Sequence, residues 1–218
     1  GIGGVIDSAE AYFKAGASAL LVIPPYYFRA DQAGIVRYFR AVRKASKLPI
    51  VLYDNPYRTN TVITPATIVA MAEEKLIVGM KASSTDLYHC DHVAQRVGAD
   101  FGLLSGQDTL FVEQALLGAR GGVLTSACLL PGYWNGVQAH VEAGRVREAL
   151  ADQRRLYPFL DTLFAGEFPA GVRETYRMLG LSIGTSLPPN GGYPPAMLPK
   201  LEEAISSLIA ARILKKFR

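Results

Sequence analysis

Two cysteines in 218 residues, Cys90 and Cys128, are too few for a disulfide framework, and their spacing fits no metal-ligand motif. A reducing, cytoplasmic setting is therefore expected. Long apolar runs are also missing: a membrane span needs ~18–20 such residues, and the most apolar stretch, ALLVIPPYYF, is broken by Pro24 and Pro25. No G-x-G-x-x-G follows a strand-like run, which argues against a dinucleotide fold. Excess charge is slight, at +4, and the basic residues Arg37, Arg40, Arg43, Lys44 and Lys47 are scattered among apolar ones at helical spacing. That pattern reads as a solvated helix face; a nucleic-acid surface needs a denser stripe with aromatics. Histidines number three, and His89 and His92, three apart, lie on a helix expected to pack outside the sheet. No metal site is expected from them. The first residues, GIGG, carry no leader pattern and run straight into a helix-like segment, which reads as a start in mid-fold.

Half of the residues are apolar, enough for a sizeable core. Five short apolar runs stand out: Ala19–Ile23, Ile50–Tyr53, Ile77–Lys81, Phe101–Ser105 and Gly121–Thr125. Each is continuous, the pattern of strands buried on both faces of a parallel sheet. Helices are expected between them, at Ile6–Ala15, Gln32–Lys44, Pro65–Glu73, Leu87–Val97 and Asp108–Leu117. Thr64 before Pro65, and Thr85 or Asp86 before Leu87, are natural N-caps. Strand starts fall about 20 to 30 residues apart, so the chain is a βα array, either an open doubly wound sheet or a (β/α)8 barrel. After Leu130 the strand signal stops. Residues 133–142, 145–164, 169–179 and 198–213 read as helices, 187–195 as a Pro/Gly loop, and Lys215-Lys216-Phe217-Arg218 as a basic helix C-terminus. Two regions are expected, 1–130 with the strands and 131–218 with helices alone. Five βα units do not close an eight-strand barrel, so a barrel reading leaves about three units unaccounted for at the front.

In parallel βα folds the reactive groups sit at the C-terminal ends of the strands. Here those ends hold Pro24-Pro25-Tyr26-Tyr27, then YDNPYRT from Tyr53 to Thr59, then Lys81, then SGQD from Ser105 to Asp108, and finally Thr125-Ser126. Lys81 has two readings. A desolvated amine favours its neutral form, which attacks a ketone and makes a Schiff base that withdraws electrons from the adjacent carbon. Otherwise the lysine snorkels to solvent or pairs with Asp86. Tyr53 ends the preceding strand, so its phenol can face the same mouth and pass protons, or simply pack in the core. Arg58 is placed either to grip a carboxylate or to stand on the surface. Gly106, Gly121 and Gly122 let a small ligand approach the backbone, as they would also serve turns.

Together the stretches LVIPPYYFRADQAGIVRYFRAV, LPIVLYDNPYRT, VGMKASSTDL, LLSGQD and LGARGGVLTSA resemble the pyruvate-dependent aldolases, the family of dihydrodipicolinate synthase and N-acetylneuraminate lyase. The resemblance implies a (β/α)8 TIM barrel, here lacking about its first three βα units, with C-terminal helices, commonly assembled as a dimer of dimers. It implies that Lys81 forms the Schiff base with pyruvate or another 2-oxo acid and that Tyr53 shuttles protons. Tyr27 matches a tyrosine that reaches into a neighbouring subunit's site, and Arg58 one that handles a carboxylate. Gly106 and Val123, with Gly122 beside it, match positions lining the pyruvate pocket. It implies small-molecule substrates and no metal or organic cofactor. Some 80 further residues, counting three βα units, would carry a Thr-Thr pair absent here. Two departures bear on the second substrate, Asp54 where many members carry Asn and Ala82-Ser83-Ser84 where the synthase often has Glu-Ala-Thr; the resemblance is weakest in the tail, where Phe168-Pro169-Ala170-Gly171-Val172-Arg173 stands in place of an Asn-Pro-x-Pro-x-Lys pattern.

Overall fold

The structure is a computed structural model that describes residues 1–217. It contains two compact units, Gly1–Val123 and Leu124–Arg218.

The first unit alternates helix and strand: α1 (Ile2–Lys14), β1 (Leu20–Val22), α2 (Gln32–Ala45), β2 (Ile50–Asp54), the single turn α3 (Pro56–Thr59), α4 (Pro65–Glu73), β3 (Gly79–Ala82), α5 (Leu87–Ala94), β4 (Gly102–Ser105) and α6 (Phe111–Leu116). The four strands are parallel and lie side by side in sequence order. Doubly wound sheets reverse strand order at a switch point; this sheet does not, and its arrangement is the wall of a β/α barrel. The fifth apolar run contributes only a bridge at Gly122. Ser105 N–H donates to Gly121 O and Val123 N–H to Ser105 O, both at 2.8 Å. Thr125 then leads into a 3-10 turn, Ser126–Cys128, so the run ends before it lengthens into a strand.

The strand registers define two faces. Val22, Leu52, Met80 and Leu103 form one row and point toward the helices. There they meet Ile35, Phe39 and Val42, spaced as one stripe of α2, and Ile68, Met71, Cys90 and Val93 from α4 and α5. The opposite face is not sealed as the continuous apolar runs suggest: Leu21 is 48% exposed, and Val51, Tyr53, Lys81 and Leu104 are partly exposed. An apolar residue on that face is therefore no proof of two-sided burial. Strand spacing is tight at β3, where a Cβ on Gly79 would stand 2.5 Å from Gly102 O.

The helix starts are chemically specified. Asp31 Oδ1 accepts from Gly34 N–H at 2.6 Å, Thr64 Oγ1 from Thr67 N–H at 3.2 Å ahead of Pro65, and Asp86 Oδ1 from His89 N–H at 2.9 Å. Asp86, not Thr85, is thus the cap of α5. The helix ends are less legible: α5 stops at Ala94, and 108–117 begins as a 3-10 turn before α6.

In the second unit, α7 (Pro131–Glu142), α8 (Val146–Arg155), α9 (Tyr157–Leu163), α10 (Ala170–Met178) and α11 (Leu198–Ala210) build a helical core around Leu156, Phe159, Leu160, Leu201 and Ile205. The single helix expected over 145–164 is two, because Pro158 cannot donate an N–H in a continuing helix and instead sits in the first turn of α9. The basic end is not a helix terminus: α11 ends at Ala210, and Lys215–Phe217 follow it outside any helix. Arg218 lies outside the described residues. No described helix is long and apolar enough to cross a membrane.

Candidate active site

The side-chain period of two along a strand decides which residues gather at the C-terminal end of the sheet. Tyr53 of β2 pairs in register with Lys81 of β3, and Lys81 with Leu104 of β4, so the three form one row on the face away from the helices. The Lys81 ammonium lies over the Tyr53 ring, 4.3 Å from its centroid. Lys81 does not pair with Asp86, whose carboxylate is occupied in capping α5, and among the described residues it makes no ion pair. The reading of Lys81 as half of a surface ion pair therefore falls away.

Tyr53 is tuned by its surroundings. Burial alone would raise the phenol. A hydrogen bond from Asn55 Nδ2 at 3.0 Å, the charge of Lys81, and the nearby Lys81 and Ser83 side chains outweigh that, and the phenol is held below its ordinary range. Asn55 itself is fixed because its carbonyl accepts from the N–H groups of Arg58 and Thr59 and from Thr59 Oγ1, closing the turn of α3. Asn60 follows in the left-handed region at φ 50°, a conformation asparagine tolerates.

The segment after Lys81 is braced from β4 and α6. Ser83 N–H donates to Asp54 O at 2.9 Å, and Gln107 Nε2 donates to Ser83 O at 2.6 Å. Ser105 Oγ donates to Gln114 Oε1 at 2.5 Å, and Gln114 Nε2 reaches Ser84 O at 3.3 Å. Tyr57 Oη meets Thr85 Oγ1 at 2.6 Å, joining the loop after β2 to the loop after β3. Two polar atoms in this braced region remain without a partner among the described residues, Asn55 Oδ1 and Ser83 Oγ, both fully buried. Each such atom costs about 1–3 kcal/mol of lost hydration.

The glycines and the remaining predicted residues divide. Gly106 belongs to the cluster: a Cβ there would collide with Ser83 Oγ and stand 2.9 Å from Lys81 Cε. Only glycine leaves the lysine stem its place. Gly122 and Val123 lie on the bridge to Ser105, one row beyond Lys81, and both are exposed. Arg58 is exposed on α3 and makes no ion pair among the described residues. Tyr27 is not brought to Lys81: it is 86% exposed, its ring meets Phe28 edge-on at 4.8 Å, and with Pro24, Pro25 and Tyr38 it lines a cavity of about 680 Å³ on the β1 side.

On the helix side of the same strand ends lies a second titratable cluster that sequence inspection places elsewhere. His89 is not remote from the strand ends. Its Nε2 is 2.7 Å from Ile63 O, and its charge acts on Asp54 at the end of β2. Asp54 is only 2% exposed, and burial pushes its carboxyl up to about 6, against a smaller lowering by His89. Burial, then Asp91, Asp54 and Asp86, push the Cys90 thiol up to about 11, so it is no nucleophile. Among the described residues no three His, Cys, Asp or Glu side chains gather as metal ligands.

Asn55 and Ser83 are the site residues that the sequence reading passed over. Ser83 is within reach of it, standing two residues beyond Lys81 just past the end of β3. Asn55 had no such signal, since its contact with Tyr53 depends on the turn of α3.

Comparison with known proteins identifies the family. The sequence matches the Dihydrodipicolinate synthetase family over residues 3–208. It is 36% identical over 176 residues to a 4-hydroxy-tetrahydrodipicolinate synthase of Rhizorhabdus wittichii, covering 79% of this chain and 60% of that one. With the enzyme of the same name from Pseudomonas aeruginosa it shares 33% over 172 residues, covering 79% and 59%. Among solved structures, the enzyme from Cyanidioschyzon merolae with lysine bound superposes with a TM-score of 0.92 at 28% identity, over 98% of this chain and 72% of that one. The 4-hydroxy-tetrahydrodipicolinate synthase of Methylacidiphilum fumariolicum SolV gives 0.92 at 27%, over the same shares. The chain spans about three-fifths of the length of the two sequence relatives. A match that runs through nearly all of the sequence, and a fold shared with solved members, mean that this chain belongs to the dihydrodipicolinate synthetase family.

Proposed function

We propose that this chain carries the Schiff-base centre of a carbon–carbon lyase or synthase that condenses pyruvate with an aldehyde, or cleaves a 2-oxo acid in reverse. The observation that carries the reading is the Lys81 amine at a strand end, free of any carboxylate partner among the described residues and laid over a phenol held below its ordinary range. Lys81 Nζ attacks the ketone carbon, and loss of water gives a protonated imine. That cation draws electrons from the neighbouring methyl, which loses a proton to give an enamine, and the enamine carbon adds to the aldehyde. Tyr53 moves the protons between nitrogen, oxygen and carbon. The imine is itself the electron sink, so the chemistry requires no resident cofactor.

The relatives named as 4-hydroxy-tetrahydrodipicolinate synthases, together with the exposed Arg58 beyond the Tyr53 strand, favour aspartate semialdehyde as the aldehyde. A guanidinium there can hold a carboxylate through two parallel hydrogen bonds. Asp54 and Ser83, which depart from the synthase pattern, favour a second reading, aldol cleavage of a sugar-derived 2-keto-3-deoxy acid or of N-acetylneuraminate. Loss of turnover with retention of small-molecule binding is the third. Gly106, Gly122 and Val123 line the 2-oxo acid pocket in this account. Tyr27, exposed beside Phe28, serves a neighbouring copy in a homo-oligomer, a dimer of dimers, and two free cysteines suit a cytoplasmic setting. The test is consumption of pyruvate by the intact protein in the presence of aspartate semialdehyde, with cleavage of the sugar-derived acids assayed in parallel. Turnover of aspartate semialdehyde supports the first reading, turnover of the sugar acids alone supports the second, and binding without turnover overturns both.

A further inference from the structure

The Schiff-base reading leaves one buried nucleophilic group unused. Ser83 is 5% exposed, and its Oγ has no hydrogen-bond partner among the described residues. Its backbone is held on both sides, by Asp54 O and by Gln107 Nε2, so the hydroxyl does not drift away to find one. Three observations fix where it points. It stands two residues beyond Lys81 where the chain leaves β3, its N–H still paired with Asp54 O. It confronts the bare Cα of Gly106, the same glycine that accommodates Lys81 Cε. Its side chain is also near enough to Tyr53 to be among the groups that hold that phenol down. A buried hydroxyl with no partner among the described residues, beside an amine and a phenol, is oriented toward whatever binds there.

We propose that Ser83 is a catalytic hydroxyl of this site, donating to the carbonyl oxygen of the 2-oxo acid as Lys81 adds to it; the proposal rests on the Schiff-base reading above. When Lys81 Nζ bonds to the ketone carbon, the C=O π pair moves onto oxygen. Ser83 Oγ–H gives its proton to that oxygen and is reprotonated, through Tyr53, by the proton that the new N–C bond releases from nitrogen. The product is a neutral carbinolamine. Tyr53 Oη–H then protonates the hydroxyl, which leaves as water while the nitrogen lone pair closes the C=N bond. The end state is a protonated imine, a phenolate and one water, so every proton is accounted for. Asn55, donating to Tyr53 Oη, keeps the phenol's own proton directed at the substrate.

The experiment is rapid-quench trapping of the pyruvate adduct with cyanoborohydride in the intact protein, in Ser83→Ala and in Ser84→Ala. Ser84 Oγ accepts the Asp86 N–H and serves as the neighbouring control. Among the described residues the Ser83 hydroxyl has no hydrogen-bond partner, so its removal leaves no orphan, and Ser83→Ala melts with the parent. It reaches the same adduct on Lys81 at long times, at a rate about 100-fold lower, while Ser84→Ala keeps the parental rate. Trapping of Ser83→Ala at the parental rate overturns the role of Ser83 and leaves Lys81 as the imine residue. An absence of adduct in the parent protein overturns both.

Discussion

Asp54→Asn separates the electrostatics of this site from its shape. The carboxylate sits between Tyr53 and Asn55, nearly without solvent, and titrates at about 6 in place of 3.8 because burial penalises its charge. Each pH unit by which a folded group titrates away from its unfolded value is worth ~1.4 kcal/mol. The sign follows from proton binding: between 3.8 and about 6 the folded chain holds this proton more tightly than the unfolded chain. The contribution of Asp54 to stability is therefore complete below 3.8 and is lost as pH rises through about 6, at a cost of ~3 kcal/mol above it. Asparagine has the same shape and no charge. Urea unfolding of parent and variant at a series of pH values gives the difference directly. The two are expected to coincide near pH 4 and to diverge until Asp54→Asn is the more stable at pH 7, by up to ~3 kcal/mol. A difference that does not change with pH, or a variant less stable at pH 7, refutes the account of Asp54.

Two further substitutions probe separate links. Asn55→Ala removes the hydrogen bond to Tyr53 Oη, so the phenol rises toward the value that burial alone favours; ultraviolet titration, with Tyr53→Phe to isolate this tyrosine, should show later ionisation, and an unmoved titration contradicts the claim. Leu52→Ala hollows the row between Val22 and Met80, where Leu52 is fully buried, and should cost 2–5 kcal/mol in urea unfolding; a loss below ~1 kcal/mol would mean that the helix side of the sheet is not packed as described.

Much of this arrangement is legible in the residues, and the failures are instructive. The strands are marked by apolar runs whose ends change abruptly to polar residues, so Lys81, Tyr53 and SGQD could be placed at one rim before any register was known. Caps with a side-chain oxygen, Asp31, Thr64 and Asp86, announce their helices. Helix ends without such chemistry drift, as at Ala94. The run at Gly121–Thr125 carries the composition of a strand but forms a single bridge. Composition also cannot tell which side of a strand stays open, and Leu21 shows it. The site divides along the same line. Lys81, Tyr53 and Gly106 meet because adjacent strands and their following turns bring them together. Asn55, Asp54 and His89 interact across loops and layers, where neither spacing nor period specifies a distance.

The central claim is that Lys81 becomes covalently joined to a keto acid. Mass spectrometry of the intact protein, incubated with pyruvate and cyanoborohydride and then digested, reads this at a single position. The account predicts a reduced pyruvate adduct on the peptide bearing Lys81 and none after Lys81→Ala. An unmodified Lys81 in the folded protein, or an adduct on another lysine, would contradict it.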